Sequence, residues 1–262
     1  MDFSIARVAK DYIYKRFPRA SVAEKEKYVR DWTHKMKDSR ALVEDFKRRI
    51  GDPAGKKIID VGSGNGGVST AFALAGAEAH GIEIEKDLYE ISRQYAEAFG
   101  VAPQFYLYDG SQLPFADNTF DFAISVSVLE HTDDPVAYLR EILRVVKPNG
   151  SLYLGFPNKL WPKETHTGLY GLTYLPAVLQ PLYIRFRKRN PLQDNNLHFY
   201  TYFDLKKMIR KGSGIYAWSI VPEEGQTLSV LKKIIKKIIG MFGLTYKAFL
   251  PHILVILKKE SL

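Results

Sequence analysis

The sequence contains no cysteine among its 262 residues. That excludes disulfide scaffolds, thiol nucleophiles and cysteine-ligated zinc, and gives no reason to expect an oxidising compartment. Long apolar runs are missing too. No stretch reaches the roughly 18 uncharged apolar residues of a spanning helix. The longest candidates, Ile238 to Tyr246 and Ala248 to Leu257, are short and are separated by Lys247. The opening Met1-Asp2-Phe3-Ser4-Ile5-Ala6-Arg7 lacks the continuous apolar segment of a signal peptide, so a cytoplasmic location is expected. Internal repeats and low-complexity tracts are absent. The composition present is ordinary: 46% hydrophobic, 26% charged and 13% aromatic residues argue against a disordered, collagen-like or coiled-coil chain.

The net charge of +9 is unevenly spread. Residues 1–56 carry 15 Lys/Arg against 9 Asp/Glu, residues 57–150 carry 6 against 14, and residues 151–262 carry 17 against 6. An acidic middle between basic flanks suggests that the middle holds a cofactor and the flanks meet something anionic.

The first fifty residues read as helix. Ser21-Val22-Ala23-Glu24 is a capping-box pattern, and Gly51-Asp52-Pro53-Ala54-Gly55 is a breaker. From Lys57 the chain alternates strand and helix. Strands are expected at 57–61, 77–84, 104–108, 120–126 and 151–156, with Lys147-Pro148-Asn149-Gly150 as the turn before the fifth. Helices are expected at 67–74, 86–99 and from Asp134-Pro135 to Val146. This alternation predicts βαβ units and a parallel sheet covered by helices on both faces. Residues 157–200 are different: five prolines, aromatics including Trp161 and Tyr170, and the basic run Arg185 to Asn190 read as an insertion after strand five. A helix at 204–211, a strand at 215–221, a helix at 228–242 and a strand at 252–258 complete the chain. The expected domains are a helical lid at 1–54 and an α/β domain at 55–262.

The central motif is Ile58-Ile59-Asp60-Val61-Gly62-Ser63-Gly64-Asn65-Gly66-Gly67, a strand running through a glycine-rich turn into a helix. Such a turn lets a ligand approach the backbone and offers it a helix N-terminus. Gly62, Gly64 and Gly67 satisfy the dinucleotide spacing, and Glu83, 21 residues after Gly62, stands where a ribose-binding acid belongs. Asp60 separates the readings. A carboxylate against the turn repels a pyrophosphate, whereas S-adenosylmethionine carries a sulfonium and an ammonium and no phosphate. Glu83 can accept from a ribose diol, and Asp109, in Asp109-Gly110-Ser111, from the adenine amine. As plain structure, Asp60 is a turn cap, Glu83 a solvated strand end and Asp109 an Asp-Gly turn.

With Gly81 to Glu85, Asp109 to Phe115, Phe120-Asp121-Phe122, Val128 to His131 and Leu143 to Gly150, this motif resembles class I S-adenosylmethionine-dependent methyltransferases over 57–156. The resemblance is to the type 11 group, which includes ubiquinone and menaquinone biosynthesis methyltransferases. It implies a Rossmann-like seven-stranded sheet, order 3-2-1-4-5-7-6, with strand seven antiparallel. It implies S-adenosyl-L-methionine as cofactor and S-adenosyl-L-homocysteine as product. It places Gly62, Ser63 and Gly64 at the methionine part, Glu83 at the ribose, Ile84 and Asp109 with Gly110 and Ser111 at the adenine, and Val126 on the pocket wall.

Methyl transfer to a hydroxyl benefits from a general base. Candidates are His131, Glu130, Glu164, His166 and His198, with His131, Glu164 and His166 preferred; each also reads as an ordinary loop residue. His34, His80 and His252 read as structural, and no spacing along the chain reads as a metal site, so no metal is expected. Residues 228–242 place Ile234, Ile235, Ile238 and Ile239 on one helical face and Lys232, Lys233, Lys236 and Lys237 on the other. That face pattern suits an anionic membrane surface or, more plainly, packing on the core. The expected acceptor is a small-molecule or lipid-linked compound, with no obligate protein partner. RNA, an NAD-dependent enzyme and a non-catalytic peripheral membrane protein are the rival readings; no recognisable RNA-binding module is appended, and Asp60 speaks against NAD.

Overall fold

The computed structural model describes residues 3–18, 20–187, 197–212, 218–220 and 250–260. Helices α1 (Phe3–Arg16) and α2 (Val22–Arg49) precede β1 (Lys57–Val61), α3 (Gly67–Leu74), β2 (Glu78–Glu83), α4 (Lys86–Ala98), β3 (Gln104–Leu107) and β4 (Phe120–Val126). Then follow α5 (Pro135–Val145), β5 (Val146–Pro157), α6 (Gln180–Phe186), α7 (Tyr202–Gly212), β6 (Trp218–Ile220) and β7 (His252–Lys259). The strands are ordered β3-β2-β1-β4-β5-β7-β6, the order implied by the resemblance. β1 runs parallel to β2 and β4, β2 parallel to β3, and β6 antiparallel to β7. The basic helix expected at 228–242 and the end of the basic run, 188–190, lie outside the described residues. The chain divides into two compact units, the first of Met1–Ser125 with Glu141–Tyr153, the second of Val126–Arg140 with Leu154–Glu260.

In the first unit, Ser21 caps α2 as its sequence predicts. Its Oγ accepts from the Glu24 N–H, and the Glu24 carboxylate accepts from the Ser21 N–H. The far end of α2 is anchored by Phe46, fully buried and edge-on to Phe72 at 5.0 Å and Phe122 at 5.3 Å. Asp45 beside it accepts from the Tyr153 hydroxyl at 2.9 Å. Helix α1 adds Tyr12, stacked on Trp32 at 4.9 Å, whose hydroxyl donates to Glu85 at 2.9 Å. The helical segment is thus tied both to α3 and to the turn after β2.

Close approach of α3 to the strands depends on Gly81. A Cβ there would stand 2.6 Å from the Phe105 ring and 2.7 Å from Ser69 Oγ. Hydrogen alone leaves room for both.

One detail differs from the expectation. The strand expected from Ser151 starts at Val146, so Lys147 to Gly150 form part of β5 rather than a turn before it, with Asn149 at φ 64° inside it. The reason is Asp121, which accepts from Lys147 Nζ and from the Lys57 N–H at 2.8 Å each and so holds this stretch extended. Helix α3 starts at Gly67 as expected, with Gly66 before it in the left-handed conformation at φ 78°. A Cβ at Gly66 would stand 2.7 Å from Ser92 Cβ, so no larger residue fits.

In the second unit, β6 pairs with β7 from Trp218 opposite Lys259 to Ile220 opposite Leu257. The segment after β5 folds around Leu169, Leu172 and Ile184, which are buried together. Its outer side leaves Val178, Leu182 and Phe186 exposed.

Phe46→Ala should destabilise the protein by about 3–5 kcal/mol, the usual cost of emptying an aromatic core site. Val22→Ala, at an exposed position of the same helix, should change stability by about 0.5 kcal/mol or less. Urea unfolding midpoints of the two variants check this.

Candidate functional site

The glycine turn grows out of β1. The Gly62 and Ser63 N–H groups both donate to the Ile82 carbonyl, at 2.9 and 3.0 Å, so the turn is stitched to the end of β2. Asp60 lies opposite Gly81 in the β1–β2 register and is 5% exposed. Ser69 Oγ donates to its carboxylate at 2.8 Å. Burial pushes Asp60 up to about 6, against the pull of Ser69 and Lys35 and with the help of Glu83. Sequence reading missed Ser69 and Lys35; the signal was there for Ser69 alone, in a small polar residue on the first turn of the helix that follows the motif.

Glu83 closes the turn from the other side. Its Oε2 accepts from the Gly64 N–H at 2.8 Å, and its Oε1 from the N–H groups of Ile84 at 2.8 Å and Glu85 at 3.0 Å. A carboxylate has about four acceptor positions, so one remains for a ribose hydroxyl. Ile84 is 62% exposed, an apolar face beside Gly110, whose added Cβ would meet it at 3.6 Å. Asp109 accepts from the Ser111 N–H and Oγ at 2.9 and 2.6 Å, which holds its carboxyl below the usual range. This loop is fixed by Arg144, which donates to the Leu113 and Phe115 carbonyls and pairs with Glu141 and Asp117. Arg144 is a third residue that sequence reading left without a role.

These residues fit S-adenosylmethionine. Among the described residues Ser63 Oγ is buried without a hydrogen-bond partner, and at Gly64 nothing beyond its chain neighbours lies within 4 Å of where a Cβ would stand. A ligand can therefore lie against the backbone there and meet a hydroxyl in need of a partner. The buried Asp60 carboxylate favours a cationic ligand at the turn.

Val126, His131, Glu164 and His166 belong to the second unit. Val126 is half-buried and packs toward Gly155, whose added Cβ would meet it at 3.4 Å. Glu164, 3% exposed, is a hub: it accepts from the backbone N–H of His166 and Thr167, from Thr167 Oγ1 and from His166 Nδ1. Burial alone would raise its pKa, but these donors prevail and hold it down at about 2. An anionic acceptor makes Nδ1 the protonated nitrogen of His166 and leaves Nε2 as the basic one. His131 stands edge-on to His166, ring centroids 5.5 Å apart. Glu130, 2% exposed, comes within 3.9 Å of His166 Nε2. Burial pushes Glu130 up to about 7, with Glu164 adding to the rise and His166 opposing it. Glu130, His131 and His166 form a group of potential metal ligands that spacing along the chain did not predict. His198 joins through its backbone, donating to the Glu130 carbonyl at 2.7 Å.

Asp60 sets a pH dependence. Its folded value of about 6 exceeds the unfolded value, about 3.9. Below about pH 4 the group is neutral in both states; between pH 4 and 6 the folded state increasingly loses stability, and above pH 6 the whole penalty applies. Asp60→Asn keeps an acceptor for Ser69. It should therefore stabilise the protein by about 2–3 kcal/mol at pH 8 and by little at pH 4, as read by denaturant unfolding at both pH values.

A family model described as a methyltransferase domain matches residues 59–154. An uncharacterized methyltransferase of Mycobacterium tuberculosis is 32% identical over 161 residues, 56% of this chain and 63% of that protein. A ubiquinone biosynthesis O-methyltransferase of Xanthomonas axonopodis pv. citri is 29% identical over 129 residues, 49% of this chain and 54% of that protein. The chain thus spans less than two thirds of the length of these curated relatives. Among solved structures, magnesium protoporphyrin IX methyltransferase of Synechocystis PCC 6803 with bound SAH shares the fold, with a TM-score of 0.56 at 18% identity over 97% of this chain and 99% of that one. The domain at residues 59–154 belongs to the class I S-adenosylmethionine-dependent methyltransferases.

Proposed function

We propose that the chain is an S-adenosylmethionine-dependent O-methyltransferase whose acceptor is a hydroxyl of an amphipathic or lipid-linked compound, such as a glycan intermediate or an isoprenoid ring. The observation that carries this reading lies within the second unit. The same segment that carries the Glu164–His166 pair leaves Val178 83%, Leu182 64% and Phe186 77% exposed. Exposed apolar side chains of this size commonly mark a binding surface. A relative named for ubiquinone biosynthesis O-methylation lends the same support. The basic flanks suit a phosphate or an anionic bilayer, with the protein peripheral at the cytoplasmic face. Among the described residues no helix is long and apolar enough to cross a membrane.

When bound, S-adenosylmethionine supplies a sulfonium methyl whose C–S bond breaks as the acceptor oxygen bonds the carbon. The protein's own residues hold, orient and deprotonate. Gly62 to Gly64 present backbone, Asp60 supplies negative charge behind it, and Glu83 takes the ribose. Ile84 covers the adenine, with Asp109 accepting from its amine. His166, fixed by Glu164, receives the acceptor proton at Nε2, and His131 borders it. The second acceptor class, RNA, has the net charge of +9 in its favour.

Calorimetry on the purified chain should show binding of S-adenosylmethionine and S-adenosylhomocysteine and none of NAD. Glu83→Ala should weaken that binding by about 1.5–3 kcal/mol, the scale of hydrogen bonds to a charged group. With a labelled methyl donor and a lipid extract, label should enter the organic phase. His166→Gln should lower that incorporation about 100-fold or more, the range for a general base, with cofactor affinity retained. Label recovered in RNA alone would move the acceptor to nucleic acid, and tight NAD binding without S-adenosylmethionine binding would end the reading.

A further inference from the structure

Glu130 presents an imbalance that proton transfer by His166 leaves untouched. It sits in the short turn Leu129–His131, 2% exposed, and among the described residues neither carboxylate oxygen has a hydrogen-bond partner. About nine in ten buried polar groups in folded proteins are satisfied, so two orphaned oxygens on one side chain call for a ligand. An uncompensated buried carboxylate costs several kcal/mol, and nearby Glu164 adds a second negative charge rather than relief.

Two imidazoles face these oxygens. His166 Nε2 stands 3.9 Å from Glu130 Oε1, and the His131 ring is perpendicular to that of His166. One ligand atom from each of Glu130, His131 and His166 lies within 4.8 Å of the other two. A cation bound at about 2.1 Å by nitrogen and oxygen keeps its ligand atoms about 3–4 Å apart. Side-chain movements of under about 1 Å therefore close the set around one ion.

The outer layer is already built. Glu164 holds Nδ1 of His166 at 2.8 Å, which fixes the proton there and turns Nε2, the ligating nitrogen, toward Glu130. A carboxylate behind a ligating histidine is the usual second partner in metal sites and raises the basicity of the ring. Glu164 is in turn held by Thr167 and by two backbone N–H groups, so the ring has little freedom to turn away.

We propose that Glu130, His131 and His166 bind one divalent first-row transition cation of the zinc type, with Glu164 as the positioning partner of His166. Two imidazoles and one carboxylate with further positions open suit Zn2+, Fe2+ or Mn2+, whereas Mg2+ and Ca2+ prefer oxygen ligands. The inference goes beyond the proposed activity: Nε2 of His166 ligates the ion in the metal-bound protein and can accept a proton only in the metal-free one.

The test uses the full untagged chain, stripped with chelator and titrated with Zn2+ against a chromophoric competitor. One equivalent should bind per chain, and excess Mg2+ should not displace it. Glu130→Gln, His131→Gln and His166→Gln should each weaken binding at least tenfold, and Glu164→Gln about 10–100-fold. His34→Gln, on the exposed side of α2, should bind as wild type does. Glu130→Gln removes an orphaned charge, so its melting temperature should equal or exceed that of the stripped wild type, which separates lost ligation from lost fold. Zinc bound equally by wild type and Glu130→Gln, or not bound by wild type, overturns the proposal. S-adenosylhomocysteine titrated into the same samples keeps the two readings apart. Cofactor bound without zinc sinks this inference alone, and zinc bound without cofactor sinks the proposed function alone.

Discussion

Asp60 holds a carboxylate almost out of reach of water, with Ser69 Oγ donating to it at 2.8 Å and Lys35 of α2 as an opposing charge. Much of the first unit is arranged to make that placement possible. Gly81 lies opposite it in the neighbouring strand and carries no side chain, so Ser69 and Phe105 can occupy the space a Cβ would take. Helix α3 comes close enough for Ser69 to reach because Gly66 tolerates φ 78° beneath Ser92. The resulting turn exposes its backbone at Gly64 while keeping negative charge behind it. Such a turn repels a pyrophosphate and attracts a sulfonium, which is how one carboxylate divides two cofactor classes that share a glycine pattern.

Within each unit, two carboxylates of similar burial behave differently according to what surrounds them. Glu83 accepts three backbone N–H groups and helps to shape the turn. Asp60, with a single hydroxyl on it, is pushed toward its neutral form. In the second unit Glu164 is saturated with donors and stays anionic, while Glu130 has none on its oxygens among the described residues and rises. Saturated acids position other groups; undersatisfied ones are left to respond to a ligand, and a pair driven apart as Glu130 and Glu164 are is characteristic of functional sites.

The fold itself says little about the acceptor, since one doubly wound sheet hosts many chemistries. Specificity in such proteins rests on segments added to the sheet. Here the added segment after β5 combines a small core of its own, Leu169, Leu172 and Ile184, with an outer apolar surface at Val178, Leu182 and Phe186. It also contributes Glu164 and His166, so the proposed acceptor surface and the proposed proton acceptor lie on one piece of chain.

The strand and helix succession was legible because its signals are local: apolar runs of strand length, a capping box at Ser21 and Glu24, and a proline opening α5. The glycine turn with Asp60, Glu83 and Asp109 could be read in the same way, since strand ends put these acids beside one another by topology alone. The β5 start at Val146 was not legible, because it depends on Lys147 meeting Asp121, 26 residues away. Arg144 escaped for the same reason, its partners Leu113 and Phe115 lying 31 and 29 residues back. The sequence alone determined the fold class and the position of the glycine turn after β1. Only the tertiary structure brought Glu130 and His131 to His166, because spacing along a chain encodes contacts within a turn or two and the meeting of distant loops is decided by packing.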